Sequence, residues 1–377
     1  MPKRISRRAF LHAATVTALT TACQAPETVA PTPTPEPTAA REPTSTPTPE
    51  PTATRRPPTP TPTVAPTPTT DVRVPELLRG YDRLTGKVVR AHHKGVWSDQ
   101  TLDPAALRAM IDASITSLTG LNDAGDAWRA LFDPGERIAI KVNAFRNSVI
   151  WTHVPLVTAL TDSLQQAGIP AENMVIFDFY TSELETAGFA VNRDGLGVRC
   201  YGTDSTYSGG WRVADTSAEL SDVLLSCDAL INVPVLKSHM LAGLSFALKN
   251  HYGTISRPDR FHGSKGLGQG LPELNALAPI RDRTRLIVGD MLSACLRYRN
   301  SFPYWDADWQ GDSILMSFDP VAHDAVGLSV LSEALAQDGD NAKSLEGMSA
   351  KWFETAVELG LGTDDPARMN VKEIELG

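Results

Sequence analysis

The sequence predicts an α/β domain built on a mainly parallel sheet with helices on both faces, preceded by a signal segment and a disordered Pro/Thr linker. Three observations carry that expectation. Apolar runs such as Ile138–Val142, Met174–Phe177 and Ala229–Val233 lack polar alternation, the pattern of strands buried on both faces. Segments with helix caps, among them Asp103-Pro104 and Asp319-Pro320, separate these runs. The first 72 of the 377 residues have a different composition altogether.

Residues 1–23 read as an export signal. Ser6-Arg7-Arg8-Ala9-Phe10-Leu11 places two adjacent arginines ahead of an apolar run that stops at Cys23. The run, Ala9–Ala22, is shorter than the ~20 residues needed to span a hydrocarbon core of ~30 Å. Cys23, behind Thr20, Thr21 and Ala22, has the setting of a lipidation cysteine, although Leu19 stands one position farther from it than is usual. Residues 24–72 are almost entirely Pro, Thr, Ala and Glu and cannot bury enough apolar surface to order themselves. At ~3.1 Å per residue a polyproline-like chain of this length reaches on the order of 150 Å. Residues 73–377 form the domain. The expectation is a domain tethered through Cys23 to the outer face of the cytoplasmic membrane or held in the periplasm.

The formal charge is −9, and removing Lys3, Arg4, Arg7 and Arg8 with the signal, which holds no acid, takes it to −13. That balance argues against nucleic acid as a partner. Cys200, Cys227 and Cys295 have no C-x-x-C spacing, so no zinc ribbon or iron–sulfur cluster is indicated, and at most one disulfide can form among them.

In order along the domain, Lys87–His92 is a first strand and Asp103-Pro104 opens a helix to Leu118. Asp133-Pro134-Gly135-Glu136 is a turn, followed by a buried strand over Arg137–Asn143 and a helix over Pro155–Ala167 closed by Gly168 and Pro170. Strands follow at Met174–Asp178 and Gly197–Tyr201, a helix at Ser217–Ser226, a strand at Ala229–Val233 and a helix at Leu241–Asn250. Strands at Arg285–Asp290 and Ser313–Phe318 and a helix at Pro320–Ala336 complete the pattern. No G-x-G-x-x-G follows a strand, and Gly266, Gly268 and Gly270 are a glycine-rich loop without an assigned phosphate role.

What ends the strands is informative, because ligands of parallel sheets bind beyond the carboxyl ends of the strands. There the sequence puts Lys141 and Asn143, Asp178, Lys237-Ser238-His239, Asp290 and Asp319, with His153 opening a helix and Lys249-Asn250-His251 closing one. A parallel sheet brings Lys141, Asp178, Lys237, His239, Asp290 and Asp319 to one edge. Lysines beside imidazoles and carboxylates make an anion site with acid–base capacity. Lys141, Asn143, Lys237, Lys249 and Asn250 are the anion-binding candidates, and His153, His239, Asp290 and Asp319 the catalytic ones. Ordinary roles compete: Asp319 as a helix N-cap, Asp324 as a first-turn acid, His251 as packing, His262 as a loop residue. A metal held by some of His153, His239, His262 and Asp290 lacks the short helical spacing of a metal motif, so no metal site is assigned.

These segments together resemble the domain of unknown function 362 family. The matching stretches run from Pro134-Gly135-Glu136-Arg137 through Lys141-Val142-Asn143, with Thr152-His153 and Ala167-Gly168. They continue through Ile231–His239, Ala247-Leu248-Lys249-Asn250 with Gly253, His262-Gly263, and Asp319-Pro320-Val321-Ala322 with Asp324. The resemblance spans about residues 85–335. Val142 stands where the family usually has Pro, and the ferredoxin-type cysteine cluster of some members is missing, so electron transfer through a bound cluster is not implied. The family's chemistry is unsettled and names no cofactor. From the residues, the expected function is an exported enzyme acting on a small anionic molecule. The alternatives are a tethered solute-binding protein without catalysis and a metal-dependent protein loaded before export.

Overall fold

A computed structural model describes residues 75–78, 85–263 and 266–377. The export signal, Cys23 and the Pro/Thr linker lie outside the described residues. The strands, in chain order, are β1 (Lys87–His93), β2 (Trp97–Ser98), β3 (Thr101–Leu102), β4 (Ile138–Lys141), β5 (Met174–Phe177), β6 (Arg199–Cys200) and β7 (Tyr207–Val213). They continue with β8 (Thr216–Ser221), β9 (Ala229–Asn232), β10 (Val235–His239), β11 (Gly243–Ser245), β12 (Thr284–Cys295), β13 (Trp309–Ser317) and β14 (Asn370–Leu376).

Among the described residues the main sheet has ten strands, in the order β14-β1-β13-β12-β9-β4-β5-β6, with β10 paired to β12 and β11 to β10. Pairing is parallel for β14–β1, β12–β9, β9–β4, β4–β5, β5–β6 and β10–β12. It is antiparallel for β1–β13, β12–β13 and β10–β11. The sheet is therefore mainly parallel, as its unalternating apolar strands require.

Helices cover both faces. On one side Pro104–Thr119, Ala124–Leu131 and Val154–Gln166 bury Leu107, Ile111, Trp128 and Leu160 against Ile138, Ile140 and Val288. On the other, Pro320–Gln337 and Lys343–Glu358 bury Leu331, Trp352 and Phe353 against Ala139, Leu230 and Leu315. Asp103 caps its helix by accepting the Ala106 N–H, and Gly120, at φ 78°, closes it in the left-handed conformation that glycine adopts most readily.

Several local expectations are corrected. Ser217–Ser226 is not one helix: Thr216–Ser221 is a strand paired with β7, and only Asp222–Leu225 is helical. Ala218 and Leu220 are buried while Ser217 and Glu219 are exposed, so the period is two. Leu241–Asn250 is likewise strand β11 followed by a single helical turn, Ala247–Asn250. Buried Asp324 receives the N–H groups of Ala247 and Leu248 at 2.7 and 3.0 Å, which fixes where that turn begins. Lys237 and His239, expected just past a strand end, lie on β10, which continues the line of β9 beside β12 after the break at Pro234. Asp319 does not join the other strand-end residues. β13 runs antiparallel to β12, so its carboxyl end emerges at the opposite edge of the sheet. The helix Lys343–Glu358 and strand β14 follow the last expected element.

Candidate functional site

Lys141 closes β4 with its side chain on the same face as Ala139 and completely buried. Its Nζ donates to Asp178 Oδ1 at 2.7 Å, to the Val142 carbonyl at 2.7 Å and to Asn250 Oδ1 at 3.4 Å. Asp178 Oδ2 receives the Ala144 N–H at 2.6 Å, so both carboxylate oxygens are engaged. Gly253 stands directly over this pair: a Cβ there would lie 2.5 Å from Asp178 Oδ1 and 2.6 Å from Lys141 Nζ. Nearby, burial first and the Asp178 charge second push the Glu183 carboxyl up to about 7.

The network runs on through amides. Asn143 Nδ2 donates to Asn250 Oδ1 at 3.2 Å, and Asn250 Nδ2 donates to Asn232 Oδ1 at 2.7 Å. Asn143 Oδ1 in turn accepts from Lys237 Nζ at 2.6 Å. Lys237 also donates to the Ile150 carbonyl at 3.0 Å and to Ser148 Oγ at 3.4 Å, and its Nζ lies 5.8 Å from the Trp305 ring centre. Burial pulls the Lys237 ammonium down to about 7, and the Lys141 charge adds to the pull, while Cys295 and Asp178 oppose it. Burial also pulls Lys249 to about 7, reinforced by the Lys237 charge.

Lys249 has lighter company than the other two lysines. Its Nζ meets His262 Nε2 at 3.3 Å and sits 4.5 Å from the Tyr252 ring centre. His262 Nδ1 donates to the Pro258 carbonyl at 2.8 Å, which leaves Nε2 as the acceptor for the ammonium. Burial, then the Lys249 charge, drops this imidazole to about 4. His239 stacks on His262 at 6.0 Å and packs against Trp305 at 5.6 Å. Its Nδ1 accepts the N–H groups of Leu241 and Ala242, both at 3.2 Å, so the ring proton is on Nε2. Burial first, then Lys249, His262 and Lys237, hold the ring well below the usual imidazole range. His239 borders an open depression of about 380 Å³ together with Ser238, Met240, Arg297 and Tyr298.

His153 and Asp290 also meet, as a separate pair. Asp290, fully buried, accepts both the backbone N–H and the Nδ1–H of His153 at 2.8 Å, and the Leu292 N–H at 3.1 Å. Burial works against a charged His153, but the Asp290 charge and hydrogen bond outweigh it and raise its pKa. His153 Nε2 lies 3.3 Å from Ser293 Oγ.

Asp319 belongs to neither group. It is buried, and its carboxylate receives the N–H groups of Gly86, Val321, Ala322 and Thr363 at 2.8–3.1 Å. That saturates it as a cap that pins two chain segments to the start of its helix. Burial raises its pKa, while those four donors oppose the shift. His251 is buried packing beside Asn232, as its ordinary reading has it. Among the described residues no three His, Cys, Asp or Glu side chains converge as a metal site, and Cys200, Cys227 and Cys295 are buried free thiols.

Sequence reasoning missed Ser148, Trp305 and Ser293. Ser293 was hidden because the strand ending at Asp290 in the sequence reading continues to Cys295. Nothing local marks Trp305, which reaches the site through a long loop.

Solved structures with partial likeness include the lactate racemase apoprotein from Thermoanaerobacterium thermosaccharolyticum, at 10% identity and TM-score 0.42, covering 67% of this chain and 58% of that one. A structural-genomics protein from Thermotoga maritima aligns at 11% identity and TM-score 0.35, covering 68% of this chain and 59% of that one. The chain thus spans less than two thirds of the length of either. No curated protein matches it. The family model described as domain of unknown function (DUF362) matches residues 138–329, which hold Lys141, Lys237, Lys249 and both histidine groups. That is just over half of the chain, and the chain belongs to the DUF362 family.

Proposed function

We propose that this protein binds a small anion at the Lys141–Lys237–Lys249 network and acts on it as an enzyme by proton transfer, as an exported domain tethered through Cys23. One observation carries the reading: Lys141 and Lys237 share one amide network, Lys249 lies close enough to feel the Lys237 charge, and among the described residues the one carboxylate hydrogen-bonded to any of the three is Asp178, on Lys141. Two of the lysines are held near the point of losing their protons because burial leaves their charges poorly compensated. An incoming phosphate or carboxylate supplies the missing negative charge, and the low local dielectric strengthens the attraction. Lys249, bonded to a neutral imidazole rather than an acid, is the principal anion contact. His239, kept neutral, offers an Nε2–H hydrogen bond from a ring fixed by two backbone donors and orients the bound anion, while the Lys249 ammonium, at about 7, serves as the proton donor. Lys141, Asn143 and Asn250 hold the lysines in place.

Calorimetric titration of the purified full chain with inorganic phosphate and with small mono- and dicarboxylates tests the reading. Saturable binding that weakens at least tenfold in Lys249→Met is expected, with conversion of the bound anion, followed by mass spectrometry, lost in His239→Asn. Absence of saturable binding, or binding that Lys249→Met leaves unchanged, refutes the anion site. Tight binding with no conversion of any anion refutes the enzymatic part and leaves a solute-binding protein.

A further inference from the structure

The His153–Asp290 pair has a third member that the anion site does not use. Ser293 lies three residues beyond Asp290 on β12, and its register against β13 shifts between Met291 and Ser293. This irregularity lets Asp290 and Ser293, an odd number of residues apart, address the same imidazole. The chain of contacts is directional. Asp290 Oδ2 fixes the proton on His153 Nδ1 at 2.8 Å, so Nε2 carries the lone pair and faces the Ser293 hydroxyl at 3.3 Å. Asp290 is itself fixed by the backbone N–H groups of His153 and Leu292, so the ring cannot swing away without breaking a buried contact. Trp97 packs edge-on against the imidazole at 5.8 Å, and its indole Nε1 is tied to the Gly311 carbonyl.

The surroundings suit a reaction. The His153 side chain is 21% exposed, so the base is reachable, while Asp290 is completely shielded. Gln310 is the cross-strand partner of Ser293, and it is half-buried. Facing residues in an antiparallel pair carry their side chains on the same side with Cβ atoms ~4.5–5.5 Å apart. Gln310 therefore carries its side chain on the same side of the sheet as the Ser293 hydroxyl, and its amide is the donor assigned to a developing oxyanion. Among the described residues none of the Ser293, His153 and Asp290 side chains hydrogen-bonds to Lys141, Lys237 or Lys249.

We propose that Ser293, His153 and Asp290 form a second site, with Ser293 the nucleophile for acyl transfer from small esters to water. Ser293 Oγ bonds to the ester carbonyl carbon as its proton passes to His153 Nε2, and the carbonyl oxygen takes the negative charge beside Gln310. The carbon–alkoxide bond then breaks, and the proton on Nε2 leaves with the alcohol. Water repeats the sequence on the acyl-serine, freeing the carboxylic acid and restoring the hydroxyl.

The test is labelling of the full chain with a small fluorophosphonate, in which the Oγ–P bond forms, the P–F bond breaks and fluoride leaves. Peptide mass spectrometry is expected to place the phosphonyl group on Ser293. Labelling is lost in Ser293→Ala, and its rate falls about 10²–10⁴-fold in His153→Gln, the usual contribution of a positioned base. It is unchanged in Lys249→Met, which separates this site from the anion site. Ser293→Cys gives a second measurement if the alanine variant folds poorly. Its thiol is expected to be alkylated by iodoacetamide faster than the buried Cys200, Cys227 and Cys295, and faster with His153 present than in His153→Gln. A folded wild-type chain that takes no label on Ser293, or whose labelling rate ignores His153→Gln, overturns the proposal.

Discussion

Replacing Asp178 by Asn should reveal how much of the lysine network rests on one ion pair. The carboxylate and the Lys141 ammonium are 2.7 Å apart, with side-chain exposures of 5% and 1%. At an effective dielectric constant of ~20, two unit charges at that distance attract by about 6 kcal/mol before desolvation is subtracted. Desolvation takes back most of it when both partners are present. Removing one partner strands the other, and breaking a buried pair this way costs about 3–5 kcal/mol. Asn keeps the shape and can still accept the Ala144 N–H, so packing contributes little to the loss. Lys141 retains the Val142 carbonyl and Asn250 Oδ1, which argues for the lower half of that range. The assay is urea unfolding at pH 7 followed by far-ultraviolet circular dichroism, with Lys141→Met and the double variant completing a cycle. The double variant should lose clearly less than the sum of the singles, because it strands no charge. A loss below about 1 kcal/mol for Asp178→Asn, or strictly additive singles, would refute the claim that this pair is the network's internal compensation.

Other outcomes follow from the same geometry. Gly253→Ala should destabilise the chain by about 1–3 kcal/mol, the usual range for overpacking, and weaken phosphate binding, since its Cβ intrudes on the Lys141–Asp178 pair; unchanged melting and affinity would contradict it. Phosphate binding should take up protons near pH 7–8 and weaken up to about tenfold per pH unit above 7 for each lysine that must be charged. The reason is that burial pulls Lys237 and Lys249 down to about 7, so each is half deprotonated there, and titration in buffers of different ionisation enthalpy measures the uptake. His251 is held down to about 3 by burial and then by the Lys141 charge, so below pH 6.5 the unfolded chain takes up a proton that the folded chain refuses. That makes its contribution destabilising as pH falls, by up to ~1.4 kcal/mol per pH unit. His251→Asn should therefore flatten the fall in stability between pH 6.5 and 4, whatever its effect at neutral pH. Asp319→Asn should lower stability by more than a single cap's ~0.5–2 kcal/mol, because four backbone N–H groups lose their charged acceptor, yet leave anion affinity intact.

The layering of the domain, a mainly parallel sheet covered by helices, was legible in the residues alone. Residues 138–140, 174–177 and 229–231 are apolar on both faces, as strands covered by helices on both sides are. The strand ends also pointed to Lys141 and Asn143 as neighbours of Lys237, because carboxyl-end positions of parallel strands converge, and hydrogen bonds through Asn143 and Asn250 join the three. Strand direction was not legible: nothing in Ser313–Phe318 says that β13 runs against its neighbour, and that reversal sends Asp319 to the far edge. Nor was the division of the two histidines between an imidazole stacked among lysines and one held between Asp290 and Ser293. Direction, register and the length of β12 are settled by how the whole sheet pairs and packs. A local pattern records only that a segment is buried and extended, so chemistry spread over distant strands acquires its partners at the tertiary level.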